Sequence, residues 1–158
     1  MNWRQVLEDK SLRDLPYKIE LNRWGEIVMS PARSRHSNLQ GEIQHLLRGL
    51  KPAGRVFPEC PIETSDNVKV ADVVWLSRER YEKLKDEDVY SMAPEICVEA
   101  LSGSNTDAEM MQKRGLYFER GCIEFWLCGD DGAMRFFDQT GQLAASKLVP
   151  DFPARVQI

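Results

Sequence analysis

Two carboxylates and one lysine occupy positions where the surrounding sequence is apolar. Asp72 opens Asp72-Val73-Val74-Trp75-Leu76, a run otherwise suited to a strand buried on both faces. Glu99 lies inside Ile96-Cys97-Val98-Glu99-Ala100-Leu101, which is apolar on both sides of the strand alternation. An ionised carboxylate in such a place is strongly disfavoured unless it is paired or binds a metal. Two of them on two core strands form a candidate divalent-metal site, and hard oxygen ligands suit Mg²⁺ or Mn²⁺. Lys113 is the third anomaly. On a helical wheel it falls between Met110, Leu116 and Tyr117, in the middle of an apolar arc. A lysine aimed at a core needs an acidic partner or a chemical task, and Asp72 and Glu99 supply candidates.

Each residue also has a purely architectural reading. A buried acid can cap a turn or pair with an arginine, and a lysine can run its stem along apolar surface to reach water. Glu42 borders the stripe of Leu39, Ile43 and Leu46, and His36 projects on the same side one turn earlier. They read as boundary residues, or as an extra metal ligand (Glu42) and a substrate contact (His36). His45 falls on the polar side. Ser102-Gly103-Ser104 is either a phosphate-binding turn or a plain loop. The chain has no P-loop, GxSxG or GxGxxG, so nucleotide-cofactor and acyl-transfer readings lack support.

These residues need a frame. Residues 1–15 read as a short helical arm. Residues 17–21 and 26–30 form a hairpin about Asn22-Arg23-Trp24-Gly25, with Pro31 stopping the second strand. Leu39, Ile43, Leu46, Leu47 and Leu50 predict an amphipathic helix over 35–50, capped by Ser34 or Ser37, with Gly54 beyond it. Strands are expected at 55–62 and 69–76, joined by Thr64-Ser65-Asp66-Asn67. Residues 78–90 read as a charged, exposed helix or loop, and 95–101 as a core strand after Pro94. Thr106-x-x-Glu109 and Gly121 bracket a helix over 107–119. Strands at 122–128 and 133–138 follow, with Asp130-Asp131-Gly132 as the turn between them. The order implies an α/β (α+β) fold, a mixed sheet flanked by helices.

The 158 residues fit one domain. No apolar run approaches a membrane span and the N-terminus is polar, so a cytoplasmic location without membrane contact is expected. Cys60, Cys97, Cys122 and Cys128 lack CxxC spacing and read as reduced thiols, with Cys97 and Cys122 as small core residues. The net charge of −4 weighs against a nucleic-acid partner. Its distribution is uneven: residues 1–58 carry 10 basic and 6 acidic side chains, residues 59–158 carry 11 and 19. Arg33, Arg35, Arg48, Lys51 and Arg55 are the candidates for a locally basic face.

A longer spaced pattern resembles a known family. Gly25-Glu26-Ile27-Val28-Met29-Ser30-Pro31 precedes His36 at a helix start. Ala71-Asp72-Val73 follows, and then Pro94-Glu95-Ile96-Cys97-Val98-Glu99-Ala100-Leu101-Ser102. Lys113, Tyr117, Gly121 and Glu124-Phe125-Trp126 complete it. Over residues 15–138 the chain is similar to the Uma-type family of restriction-endonuclease-like proteins, within the PD-(D/E)XK nuclease superfamily. The resemblance implies a restriction-endonuclease-like core, with Asp72 and Glu99 as metal ligands. Lys113 would stand in for the motif lysine. In the usual ExK arrangement that lysine lies two residues after the glutamate; here Leu101 holds that place, so Lys113 must reach in from the following helix. Glu109 stands where the family has an aspartate. Ala71 and Gly103 each replace a family proline, which leaves the ligands untouched.

The expectation is metal-dependent phosphodiester hydrolysis of nucleic acid, DNA first. Lys113 would activate water, and Arg33, Arg35 and His36 would contact substrate. A homodimer would place two sites on one duplex. The rival is a catalytically silent module with the same fold that binds nucleic acid or protein.

Overall fold

The computed structural model describes residues 1–31, 33–103 and 105–158. The N-terminal arm is helix α1 (Trp3–Glu8) and one 3-10 turn. Strands β1 (Tyr17–Leu21) and β2 (Ile27–Pro31) pair antiparallel as a small separate sheet. Its turn closes by Gly25 N–H donating to the Asn22 carbonyl at 3.0 Å. Gly25 adopts φ +75°, a left-handed conformation open to glycine without a Cβ penalty.

The main sheet has six strands in the order β3 (Arg55–Thr64), β4 (Asn67–Leu76), β5 (Ile96–Ala100), β6 (Glu124–Cys128), β7 (Met134–Asp138), β8 (Gly141–Leu143). Among the described strands of this sheet, only β5 and β6 pair in parallel. A parallel neighbour requires a crossover, and helix α4 (Asp107–Glu119) provides it. Helix α2 (Ser34–Leu50) joins β2 to β3, and α3 (Arg78–Leu84) lies between β4 and β5. Among the described residues no helix is long and apolar enough to cross a membrane.

Strand alternation divides the core in two. Leu39, Ile43 and Leu47 of α2 pack with Val73, Trp75, Val98 and Trp126. Met110 and Tyr117 of α4 pack with Val74, Cys97, Phe125 and Leu127. Glu99 shares the parity of Cys97, so it belongs to the α4 side of β5. The tail closes the α2 side: Phe152 lies 4.6 Å, centroid to centroid, from Trp126.

The mixed sheet, the hairpin and both long helices agree with the sequence reading; the differences are local. Helix α2 begins at Ser34, so Arg33 is its N-cap residue and no side chain caps it. Neither Ser34 nor Ser37 does so, because the helix starts too early for them to stand outside its first turn. The β3–β4 ladder continues to Thr64 and Asn67, leaving Ser65-Asp66 as the turn. Thr64 Oγ1 donates to the Asn67 carbonyl at 2.6 Å and closes it. The 78–90 segment is less exposed than expected, because Leu84 and Tyr90 are buried beside β3 and β4. Strand β8 and the packed tail were not foreseen.

Candidate active site

Asp72 and Glu99 meet where β4 and β5 part. The ladder ends with Val73 opposite Val98, and one further rung would set Asp72 against Glu99. Asp72 Oδ2 instead accepts the Ala100 N–H at 2.8 Å, replacing a backbone acceptor with a side chain. Both acids are 1% exposed. Like charges on opposed strand positions repel, so positive charge must compensate, and the surrounding elements bring two lysines and a histidine.

Lys18 from β1 bridges the pair, with Nζ 3.0 Å from Asp72 Oδ1 and 3.3 Å from Glu99 Oε2. Lys113 from α4 reaches Glu99 Oε1 at 3.4 Å and Glu20 Oε2 at 2.8 Å. His36, in the first turn of α2, places Nε2 3.5 Å from Asp72 Oδ1. Its Nδ1 is buried with no partner among the described residues. Tyr117 donates its hydroxyl to Glu99 Oε1 at 2.9 Å, one helical turn beyond Lys113. The buried Glu20 also accepts the Val70 N–H at 2.8 Å, which docks the hairpin onto β4.

These contacts open into a groove of about 780 Å³. Its walls carry Lys18, Lys69, Lys113 and His36 against Glu20, Glu59, Asp66, Asp72, Glu99 and Glu109. Six carboxylates outnumber three lysines, so a polyanion entering here needs additional positive charge. Glu59 adopts φ +56° between the rungs flanking Asp72, with its carboxylate 3.1 Å from Gln40 Nε2.

Burial drives several titrations. It pushes the Glu99 carboxyl up to about 7, aided by Asp72 and Glu20 and opposed by Lys113 and Lys18. At Asp72 burial acts in the same upward direction, but Lys18, His36 and Lys113 outweigh it and hold the carboxyl far below its ordinary range. Burial works against the Lys18 ammonium, yet Asp72, Glu99 and Glu20 keep it charged to unusually high pH. The contact with Asp72 raises His36. Burial raises Glu59 as well.

A pH dependence follows. Glu99 binds its proton more tightly folded than unfolded, as does His36, so both stabilise most at low pH. The Glu99 contribution is lost as pH rises through about 7. The Asp72 contribution has the opposite sign but is lost only in strong acid, below this window. Thermal stability should therefore fall between pH 5 and pH 8, and Glu99→Gln should flatten the fall. Calorimetry of both proteins across that range checks it; an equal slope in the two would remove Glu99 as the cause.

Asp72, Glu99, Lys113 and His36 thus come together. Other expected site residues lie apart or at the margin. Glu42 is half-buried on α2 and does not line the groove. Glu109 lines it but is exposed, 3.5 Å from Asn105 Nδ2. Arg33 is exposed at the start of α2, and Arg35 donates to the Asp130 carbonyl at 2.6 Å. Neither arginine lines the groove. The other candidates for a basic face, Arg48, Lys51 and Arg55, lie outside the groove as well. Arg48 donates to the Val56 carbonyl, Lys51 lies 4.8 Å over the Trp75 ring, and Arg55 lies 4.9 Å over Tyr81. Ser102 bonds Asn105 through its N–H and hydroxyl, while Ser104 lies outside the described residues. The four cysteines are buried and free.

Lys18 and Glu20 were missed. In Tyr17-Lys18-Ile19-Glu20-Leu21 the two charges share one strand face, which ordinarily marks the solvent side of a hairpin. Only the docking of β1 on β4 turns that face inward. Among the described residues, no group of three or more His, Cys, Asp or Glu side chains is arranged to hold a metal ion. The Asp72–Glu99 pair still fits a hard divalent ion, since two carboxylate oxygens already converge on one cation. Mg²⁺ commonly takes one or two carboxylates and keeps several waters.

Comparison with known proteins agrees with this architecture. No curated protein matches the chain. A crystal structure of a protein described as a putative nuclease, from Anabaena variabilis, superimposes with a TM-score of 0.70 at 15% identity, covering 84% of each chain. At that identity the likeness establishes the fold. The Uma2 family profile, described as "Putative restriction endonuclease", matches residues 9–152. By that match the chain belongs to the Uma2 family of putative restriction endonucleases.

Proposed function

We propose that this protein hydrolyses phosphodiester bonds of nucleic acid, DNA first, with a divalent metal ion held by Asp72 and Glu99. One observation carries the reading: two buried, opposed carboxylates converge on a single cation position, with a lysine on the far oxygen of Glu99. Family membership supports it. Mg²⁺ or Mn²⁺ would polarise the phosphate and acidify a bound water. Lys113, fixed by Glu20 and Glu99, orients the attacking water and meets the negative charge that develops on phosphorus oxygens. Tyr117 holds Glu99 Oε1, which leaves Oε2, now paired with Lys18, as the oxygen that would face a ligand in the groove. Glu20 positions the lysine and has no direct part in the chemistry. Glu109, Arg33 and Arg35 would touch only the flanking parts of a long substrate. The unit acts as one restriction-endonuclease-like domain, and cutting both strands of a duplex would take two copies.

A second reading has its own support. Lys18 already bridges both acids, and the groove carries surplus negative charge. A silent module of the same fold would bind without turnover.

Supercoiled plasmid separates the two. Wild type should nick it with Mg²⁺ or Mn²⁺ and not with EDTA. Lys113→Ala should lose roughly 10²- to 10⁴-fold in rate, the usual contribution of a positioned proton-transfer group. Equal nicking by both proteins would remove Lys113 from the mechanism. No cleavage of plasmid or of single strands by folded wild type would favour the silent module.

A further inference from the structure

Lys18 occupies the one position that Asp72 and Glu99 reach together. Asp72 Oδ1 and Glu99 Oε2 converge on its ammonium at 3.0 and 3.3 Å, while the other oxygens are engaged elsewhere. Asp72 Oδ2 is held by the Ala100 N–H, and Glu99 Oε1 by Tyr117 and Lys113. The two remaining oxygens are those a metal ion would take, and an ammonium and a divalent ion cannot share that point.

The two lysines at the pair differ in a useful way. Lys113 is clamped between Glu20 and Glu99 on a helix packed against the sheet. Both side chains line the groove with 14% of their surface exposed, but Lys18 stands on β1, in the separate two-stranded sheet. A flexible four-carbon stem with a compact charge can leave by changing rotamer, with no shift of backbone. The space it would enter is the groove itself, where a polyanion would lie. Resting on the nuclease reading above, we propose that Lys18 is a resident counter-ion of the Asp72–Glu99 pair, which must swing into the groove before a divalent ion binds and there meets a substrate phosphate.

The consequence is weakened metal affinity in the free protein. A site competent for only a small fraction of the time shows an affinity reduced by that fraction. A minor state of about 1–10% implies that removing the ammonium tightens binding by roughly 10- to 100-fold. Substrate phosphate and metal should also favour each other, because each rewards the same movement of Lys18.

The test is Mn²⁺ titration followed by electron paramagnetic resonance of the free ion, on wild type, Lys18→Met, Lys18→Arg and Asp72→Asn. Lys18→Met should bind one Mn²⁺ per chain at the tighter affinity. Lys18→Arg, which keeps the charge, should stay as weak as wild type, and Asp72→Asn should lose the site. A parallel measurement uses wild type alone: acylation with an amine-reactive reagent, read by peptide mass spectrometry. Lys18 should be protected without metal and modified at saturating Mn²⁺. If Lys18→Met does not fold, Lys18→Gln and the acylation result decide. Equal Mn²⁺ affinity in wild type and Lys18→Met, or Lys18 labelling unchanged while Mn²⁺ is bound, overturns the counter-ion role and leaves the nuclease site standing. No bound Mn²⁺ in any of the four proteins overturns the metal site itself, and this inference with it.

Discussion

Asp72→Asn should cost metal-dependent cleavage roughly 10³-fold or more, at least the scale of losing one preorganised electrostatic contact, while leaving a folded protein. The argument begins with shape. Asparagine keeps the volume of aspartate and an oxygen that can accept the Ala100 N–H, so the parting of β4 and β5 retains its bond. What disappears is the charge that faces Lys18 and His36. Glu99 alone would then have to hold the ion, and one carboxylate binds a divalent cation far less well than two. The substitution carries a second signature. Asp72 is one of the charges raising Glu99, so its loss should lower the Glu99 titration below about 7. Carbon-13 NMR of the glutamate carboxyls would show that shift. A folded Asp72→Asn protein that cleaves at the wild-type rate would end the assignment, whatever happened to Glu99.

That pair was readable in the sequence because strand alternation left no room for charge in either run. Lys113 was readable for the same reason on a 3.6-residue period, and the cap at Thr106 fixed the phase of its helix. Gly121, at φ +96°, ended it where expected. Lys18 and Glu20 obeyed their local pattern and so gave no signal: a charge that alternates correctly on a hairpin looks solvated. Its burial depends on where the hairpin lands, through Glu20 accepting from Val70 and Lys69 donating to the Leu21 carbonyl. No local period contains that information. The basic candidates were hard to place for a related reason: charge counts along a chain do not say which arginines line the groove, and Arg48 and Arg55 do not. Strand β8 spans only Gly141–Leu143, too short to show a period.

Glu124→Ala should destabilise the fold by about 4 kcal/mol, on the scale of broken buried networks. Glu124 belongs to the same spaced pattern as Glu99 and Lys113, yet it takes no part in the groove. It is 1% exposed on β6 and accepts four hydrogen bonds. Oε1 receives the Trp126 indole N–H at 2.9 Å and the Ser146 hydroxyl at 2.6 Å. Oε2 receives the backbone N–H groups of Lys147 and Leu148, each at 2.9 Å. Four donors match the acceptor capacity of a carboxylate. The bonds pin the 146–148 segment to the sheet, and from there Val149, Phe152 and Val156 enter the core against Trp126 and Phe136. Alanine would strand four donors, two of them main-chain, at a cost of roughly 1–3 kcal/mol each before relaxation. In a chain of this size the melting temperature should drop by roughly 10–15 °C. Hydrogen exchange should quicken first in the tail and only later in β4 and β5. Glu124→Gln, which keeps one acceptor and introduces a clashing donor, should fall between alanine and wild type. Below its melting point the alanine variant should still bind Mn²⁺ as wild type does, because no atom of Glu124 contacts Asp72, Glu99, Lys18 or Lys113. A loss under about 1 kcal/mol would mean that water or a local shift satisfies the stranded groups. Equal loss of metal binding and of stability would mean that the tail and the site form one cooperative unit.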